Sequence, residues 1–253
     1  MTFFRFLLPA LLATAVAALP AAAASFTDGQ RGEIETIVKD YLLSHPEILE
    51  EVSAELSKRQ AAADAQKHQA AVAKNAETLF NSPRGVLLGN RSGDVNFVEF
   101  FDYNCGYCKR AMSDMLDLLK SDPKLRVTLK EFPVLGPGSV EAARVAVAVR
   151  MQDPSGKKYL DFHQKLLGGR GQADKAKALA AAKDAGLDMA KLEKDLAGPE
   201  IDATLAENFK MAEDMGLNGT PSYVIGKEVV VGAVGLEGLS QKISEARCGK
   251  ATC

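Results

Sequence analysis

Cys105 and Cys108 stand two residues apart in the stretch FFDYNCGYCKR (100–110), after an apolar run and before a basic one. Two thiols at this spacing suit three kinds of chemistry: half of a metal site, a static disulfide, or a pair that trades electrons with other thiols. A structural zinc site needs about four ligands. Cys248 and Cys253 would have to complete it from far downstream, well outside zinc-finger spacing. The three histidines, His45, His68 and His163, do not cluster in sequence, so no metal and no cofactor is assigned. A static disulfide across two residues closes a tiny loop and gains little from loop entropy. A redox pair needs an attacking thiolate. Met112, Met115, Leu116 and Leu119 recur at helical spacing after Cys105, which puts that cysteine on the first turn of a helix. There the unpaired N–H groups and the positive end of the dipole stabilise a thiolate and lower the thiol pKa. Cys108, one turn further in, can attack a mixed disulfide on Cys105 and release the client. The redox reading fits best.

The flanking elements must hold this pair in place. VNFVEFFDY (95–103) is β-branched and aromatic, and too continuous for a half-exposed strand, so it reads as a buried central one. RVTLKEF (126–132) is a second strand, giving a strand–helix–strand unit with the cysteines at the helix start. Val86–Leu88 reads as a short strand before them. Helices are expected over 140–151, 159–167, 173–185, 189–196 and 199–215. GLNGTPSYVIG (216–226) then ends the last of these and starts a strand, and EVVVG (228–232) is its hairpin partner through a Gly226–Lys227 turn. A final helix is expected over 236–246. GGRG (168–171) has no strand before it and reads as a loop.

Composition narrows the class. The chain has 253 residues, 47% hydrophobic and 25% charged, with four cysteines, no tryptophan and a formal net charge of -2. That is ordinary globular composition without the basic surplus expected of a nucleic-acid partner. Residues 1–24 read as a signal peptide: Arg5, an apolar run from Leu7 to Leu19, and the small residues AAAAS (21–25) for cleavage. The mature chain is then expected in the periplasm, where disulfides persist. Residues 25–80 read as a helical arm broken at His45–Pro46, with an apolar stripe through Ile34, Ile37, Val38, Ile48, Val52 and Leu56. Two readings stand for it: an exposed linker, or an arm that packs on copies of itself and makes a homo-oligomer. In the 248–253 tail, Cys248 and Cys253 are candidates for a small structural disulfide, free thiols being the alternative.

FVEFFDYNCGYCKR together with GTPSYVIG resembles the DsbA-like branch of the thioredoxin superfamily, most closely the exported ScsC-like proteins (suppressor of copper sensitivity). The resemblance covers about 86–247. It implies an α/β thioredoxin fold with an all-helical insertion over about 140–196, preceded by the N-terminal helical oligomerisation arm. It also implies that Pro221 is cis and faces the cysteines, although a trans turn proline is the reading without them. Thr220 would then pair its backbone with an extended client chain. Glu99 stands at the offset where the DsbA-like pattern has a buried, proton-handling carboxylate; a salt bridge from Glu99 to Lys130 is the other reading.

Gly106 and Tyr107 tune the couple, and this dipeptide resembles the isomerase DsbC, as does Thr220 before the proline. An isomerase or reductase acting on unfolded or misfolded exported proteins is therefore expected, kept reduced by a membrane partner of the DsbD type. A DsbA-type oxidase is the alternative, and a chaperone or copper-handling protein using the thiols as soft ligands is the third class.

Overall fold

The computed structural model describes residues 26–253; the signal peptide expected over 1–24 lies outside the described residues. The chain divides into two compact units at Ser57/Lys58.

In the first unit, Thr27 opens helix α1 (Asp28–Ser44) with a capping box. Its hydroxyl accepts from the Gln30 N–H, and the Gln30 side chain accepts from the Thr27 N–H. The helix stops at His45–Pro46, because the residue before a proline is pushed out of the helical region. Helix α2 (Glu47–Asn81) starts one residue after the proline. No residue of α1 is buried, and Ile34, Ile37, Val38, Leu49, Val52 and Leu56 all face solvent.

From Lys58 onward α2 belongs to the second unit, where Val72 and Leu79 are buried. The arm expected over 25–80 therefore divides, and its later part is built into a core. The Ala- and Lys-rich composition hid this, since two large apolar side chains a few turns apart suffice to dock a helix.

The second unit carries one five-stranded sheet in the order β1-β3-β2-β4-β5. Its strands are β1 (Val86–Gly89), β2 (Val95–Phe101), β3 (Leu125–Glu131), β4 (Ser222–Ile225) and β5 (Glu228–Val231). The central pair, β2 and β3, is parallel, joined by the crossover helix α3 (Gly106–Ser121); the other pairings are antiparallel. Helices α4 (Pro137–Gln152), α5 (Lys157–Gly168), α6 (Lys175–Asp184) and α7 (Met189–Leu196) follow β3 as a helical block. Then α8 (Pro199–Asp214) leads back to the sheet, and α9 (Gly235–Cys248) ends the fold. The α/β class and the helical insertion agree with the sequence.

β2 is buried on both faces because each face has its own core. Phe97 and Phe101 join Met115, Val145, Phe162 and Tyr223 on one side. Val98 and Phe100 join Val72, Leu79, Phe132 and Met211 on the other. Among the described residues no helix is long and apolar enough to cross a membrane.

Candidate active site

β2 ends at Phe101, and a tight turn delivers the chain to α3 with Cys105 as the helix cap. The Cys105 N–H donates to the Asp102 carbonyl at 3.1 Å. In turn the Cys105 sulfur accepts from the Cys108 N–H at 3.2 Å, in the place where a serine or aspartate cap ordinarily sits. Both cysteines are free and buried. The Cys105 thiol is pulled down to about 5. The hydrogen bond from Cys108 is the main cause; partial burial opposes it, and the Thr220 side chain and the Cys108 and Tyr107 N–H groups add to it. Burial pushes the Cys108 thiol far up, and its hydrogen bond to Cys105 adds to the effect. The two thiols thus separate into a ready thiolate and a held proton. Dissimilar acidities in one constellation are how acid and base roles are divided.

The peptide bond between Thr220 and Pro221 is cis. The Thr220 carbonyl lies 3.1 Å from the Cys105 sulfur, which in its thiol form donates to it. Pro221 is buried, and its carbonyl accepts from the Gly232 N–H, tying it to the far end of the β4–β5 hairpin. Gly106 is open to solvent, with nothing within 4 Å of where a side chain would start. Tyr107 is 60% exposed, with the Arg110 guanidinium 4.4 Å over its ring.

Glu99 lies on β2 with only 4% exposure, on the face that carries the cysteines. Burial raises its carboxyl to about 8, with the charges of Cys105 and Asp114 adding to it. The salt bridge from Glu99 to Lys130 does not form. In the parallel register Glu99 stands beside Leu129 and Lys130 beside Phe100, so the two side chains leave opposite faces of the sheet. Lys130, with no exposed surface, turns instead toward Glu207 at 4.0 Å.

Several positioning residues escape a reading of sequence alone. Asp102 is buried and fully used: its carboxylate accepts from the Asn104, Val134 and Leu135 N–H groups and from the Ser139 hydroxyl. Asn104 donates to Ser139 and to the Ala173 carbonyl, and accepts from the Ala173 N–H. These contacts fasten the cysteine loop to the start of α4 and to the α5–α6 connection. The signal was present as Asp and Asn two apart before the first cysteine, a spacing that favours turns. Behind the loop, Tyr159 donates to Glu131 at 2.6 Å and shares a hydrogen bond with Tyr103, which also bonds His163.

A groove of about 360 Å³ opens beside Cys105, lined among others by Tyr103, Leu135, Leu166 and Gly171. Val134, Leu135 and Val234 are exposed apolar residues on the loops next to Asp102 and Pro221, and Val231, the last residue of β5, is exposed beside them. Far along the chain, Cys248 and Cys253 are joined by a disulfide with Cα atoms 6.2 Å apart.

Comparison with known proteins gives the same outline. Residues 97–244 match the model of the DSBA-like thioredoxin domain, and residues 30–63 match the copper resistance protein ScsC N-terminal domain. A thioredoxin-like oxidoreductase from Silicibacter pomeroyi DSS-3 is 43% identical, covering 68% of this chain and 96% of its own, with a TM-score of 0.64. Proteus mirabilis ScsC in a transitional conformation is 30% identical over 90% of this chain and 100% of its own, with a TM-score of 0.65. The chain spans about a quarter of the length of the curated relatives it matches. One of these, Na(+)/H(+) antiporter NhaA 1 of Salinispora arenicola, is 26% identical over 66% of this chain and 25% of the antiporter. The chain belongs to the DSBA-like thioredoxin domain family.

Proposed function

We propose that this protein is an exported disulfide isomerase or reductase that acts on misfolded periplasmic proteins through Cys105 and Cys108. The observation that carries the thiol–disulfide chemistry is the placing of Cys105 as the cap of α3, beside Thr220 and one turn from the buried Cys108. The exposed apolar stripe of the first unit is what favours isomerase over oxidase. The Cys105 thiolate attacks one sulfur of a client disulfide. A mixed disulfide forms, and the displaced client thiolate takes a proton from solvent. Isomerisation follows when another client thiol displaces Cys105. Reduction follows when Glu99, ionised in only a fraction of molecules below about pH 8, takes the Cys108 proton and Cys108 attacks the Cys105 sulfur. That step closes the Cys105–Cys108 disulfide and releases the second client thiolate. Thr220 and Pro221 supply the backbone edge on which an extended client lies, and the apolar loops beside the groove suit unfolded chain over a folded surface.

The exposed stripe of the first unit supports self-association, which would set several sites around one client. A membrane reductase of the DsbD type would keep the cysteines reduced. Refolding of scrambled ribonuclease and reduction of insulin test the reading: activity in both is expected, and a pure chaperone or copper binder would fail both. Removing residues 26–57 should give a monomer by light scattering, with insulin reduction retained and ribonuclease isomerisation lost. A full-length chain that is already monomeric would remove the support for oligomeric isomerisation.

One observation favours the oxidase reading. A Cys105 pKa near 5 stabilises the reduced state, which makes the disulfide form a stronger oxidant. Thiol trapping in cells separates the two: mostly reduced Cys105 and Cys108 support the isomerase, mostly oxidised ones the oxidase.

A further inference from the structure

Tyr223 is a buried polar group that the chemistry above leaves unused. It lies on β4 directly opposite Glu99 of β2 in an antiparallel register. Residues so paired share one face of the sheet, with their Cβ atoms about 4.5–5.5 Å apart. The ring is fixed against Phe97 at 5.3 Å between centroids, and the residue is 1% exposed. Its hydroxyl is buried and has no hydrogen-bond partner. Leaving a buried hydroxyl unpaired is unfavourable, whereas a phenylalanine of the same shape would fill the site without that cost. The hydroxyl is therefore the part of this residue that packing does not explain.

Its surroundings suggest a use. The charges that act on it come from Glu99 on β2, Cys108 and Asp114 on α3, and Cys105 at the helix cap; with burial they push its acidity far down. Asp114 is half-buried on α3, and its charge acts on both Glu99 and Tyr223.

We propose that the Tyr223 hydroxyl, unpartnered beside Glu99, is with Asp114 the path by which the proton taken from Cys108 leaves the protein. The proposal rests on the reading of Glu99 as the base for Cys108. Glu99 accepts the Cys108 proton as the Cys108 thiolate forms and attacks the mixed disulfide. The phenol then accepts that proton on its oxygen and gives its own to the Asp114 carboxylate, which releases it to solvent. No proton is gained or lost along the path, and no electron moves on it. Without the hydroxyl, the proton that Glu99 takes from Cys108 has no phenol to carry it on to Asp114.

The test separates attack from resolution. The reduced protein is mixed with a disulfide of a chromophoric thiol, and the two successive thiol releases are followed by stopped flow across a pH range. Tyr223→Phe keeps the ring. It should leave the first release, made by Cys105, unchanged, slow the second about tenfold, the scale of one hydrogen bond, and displace its pH midpoint. Asp114→Asn should slow the second release in the same direction. Glu99→Gln is the arm that tests the underlying reading. If Glu99→Gln leaves the second release unchanged, Glu99 is not the base and both ideas fail. If Glu99→Gln slows it while Tyr223→Phe changes neither rate nor midpoint, only this proposal fails. A gain in stability for Tyr223→Phe without a kinetic change marks the hydroxyl as a structural orphan and likewise overturns it.

Discussion

Two cysteine pairs sit at opposite ends of helices. Cys105 caps the start of α3, while Cys248 is the last residue of α9. At a helix start the free N–H groups and the dipole favour a thiolate; at a helix end the free carbonyls oppose one. The first pair is reduced, buried and split in acidity, whereas the second is an exposed disulfide in the tail. Spacing along the chain therefore says less about a cysteine pair than the helix end that holds it.

The largest effect comes from breaking the first pair. Cys105→Ser should abolish thiol exchange, because the attacking sulfur is gone. Cys108→Ser should keep the attack and accumulate mixed disulfides on Cys105, visible on non-reducing gels. Trapping in the opposite mutant would reverse the two roles.

A smaller effect sharpens what burial does beneath that pair. Glu99 keeps its proton in the folded protein up to about pH 8, whereas the unfolded chain loses it near 4.5. The folded state then holds the extra proton, so stability falls as pH rises between those values. At roughly 1.4 kcal/mol per unit, the decline amounts to a few kcal/mol. Glu99→Gln carries no such proton. Denaturant midpoints of the two reduced proteins at pH 5 and pH 8.5 should show the wild type losing stability relative to the variant. Parallel pH dependences would remove Glu99 as a buried acid.

The smallest effect belongs to the tail. Replacing Cys248 and Cys253 with serine should leave exchange rates unchanged. The loop they close spans five residues, so the loss of stability should be about 2 kcal/mol at most. A change in insulin reduction would give the tail a part in the chemistry.

Much of this arrangement was legible in the sequence, because the signals were local. The apolar run of β2, the helical period after Cys105 and the glycines around Pro221 each mark their own element. What escaped depends on how distant strands pair. Whether Glu99 meets Lys130 is decided by the parity of the β2–β3 register, which places them on opposite faces. The neighbourhood of Tyr223 likewise needs the β2–β4 register. The later part of α2 looked like a bare arm, since its docking rests on Val72 and Leu79 against partners contributed by β2, α8 and the loops that flank them. The turn signal of Asp102 and Asn104 was local, but the partners of Asn104 were hidden for a related reason: they lie 35 and 69 positions onward.

The sulfur cap of α3 has a consequence for how the molecule reports on itself. The Cys108 amide points at the Cys105 sulfur. As a thiolate that sulfur is a strong acceptor, and once bonded to another sulfur it is a weak one. The first turn of the helix is thus tightened or loosened by the electron count of the couple. Protection of a single backbone amide against deuterium becomes an internal gauge of redox state, readable without any dye or trapping reagent.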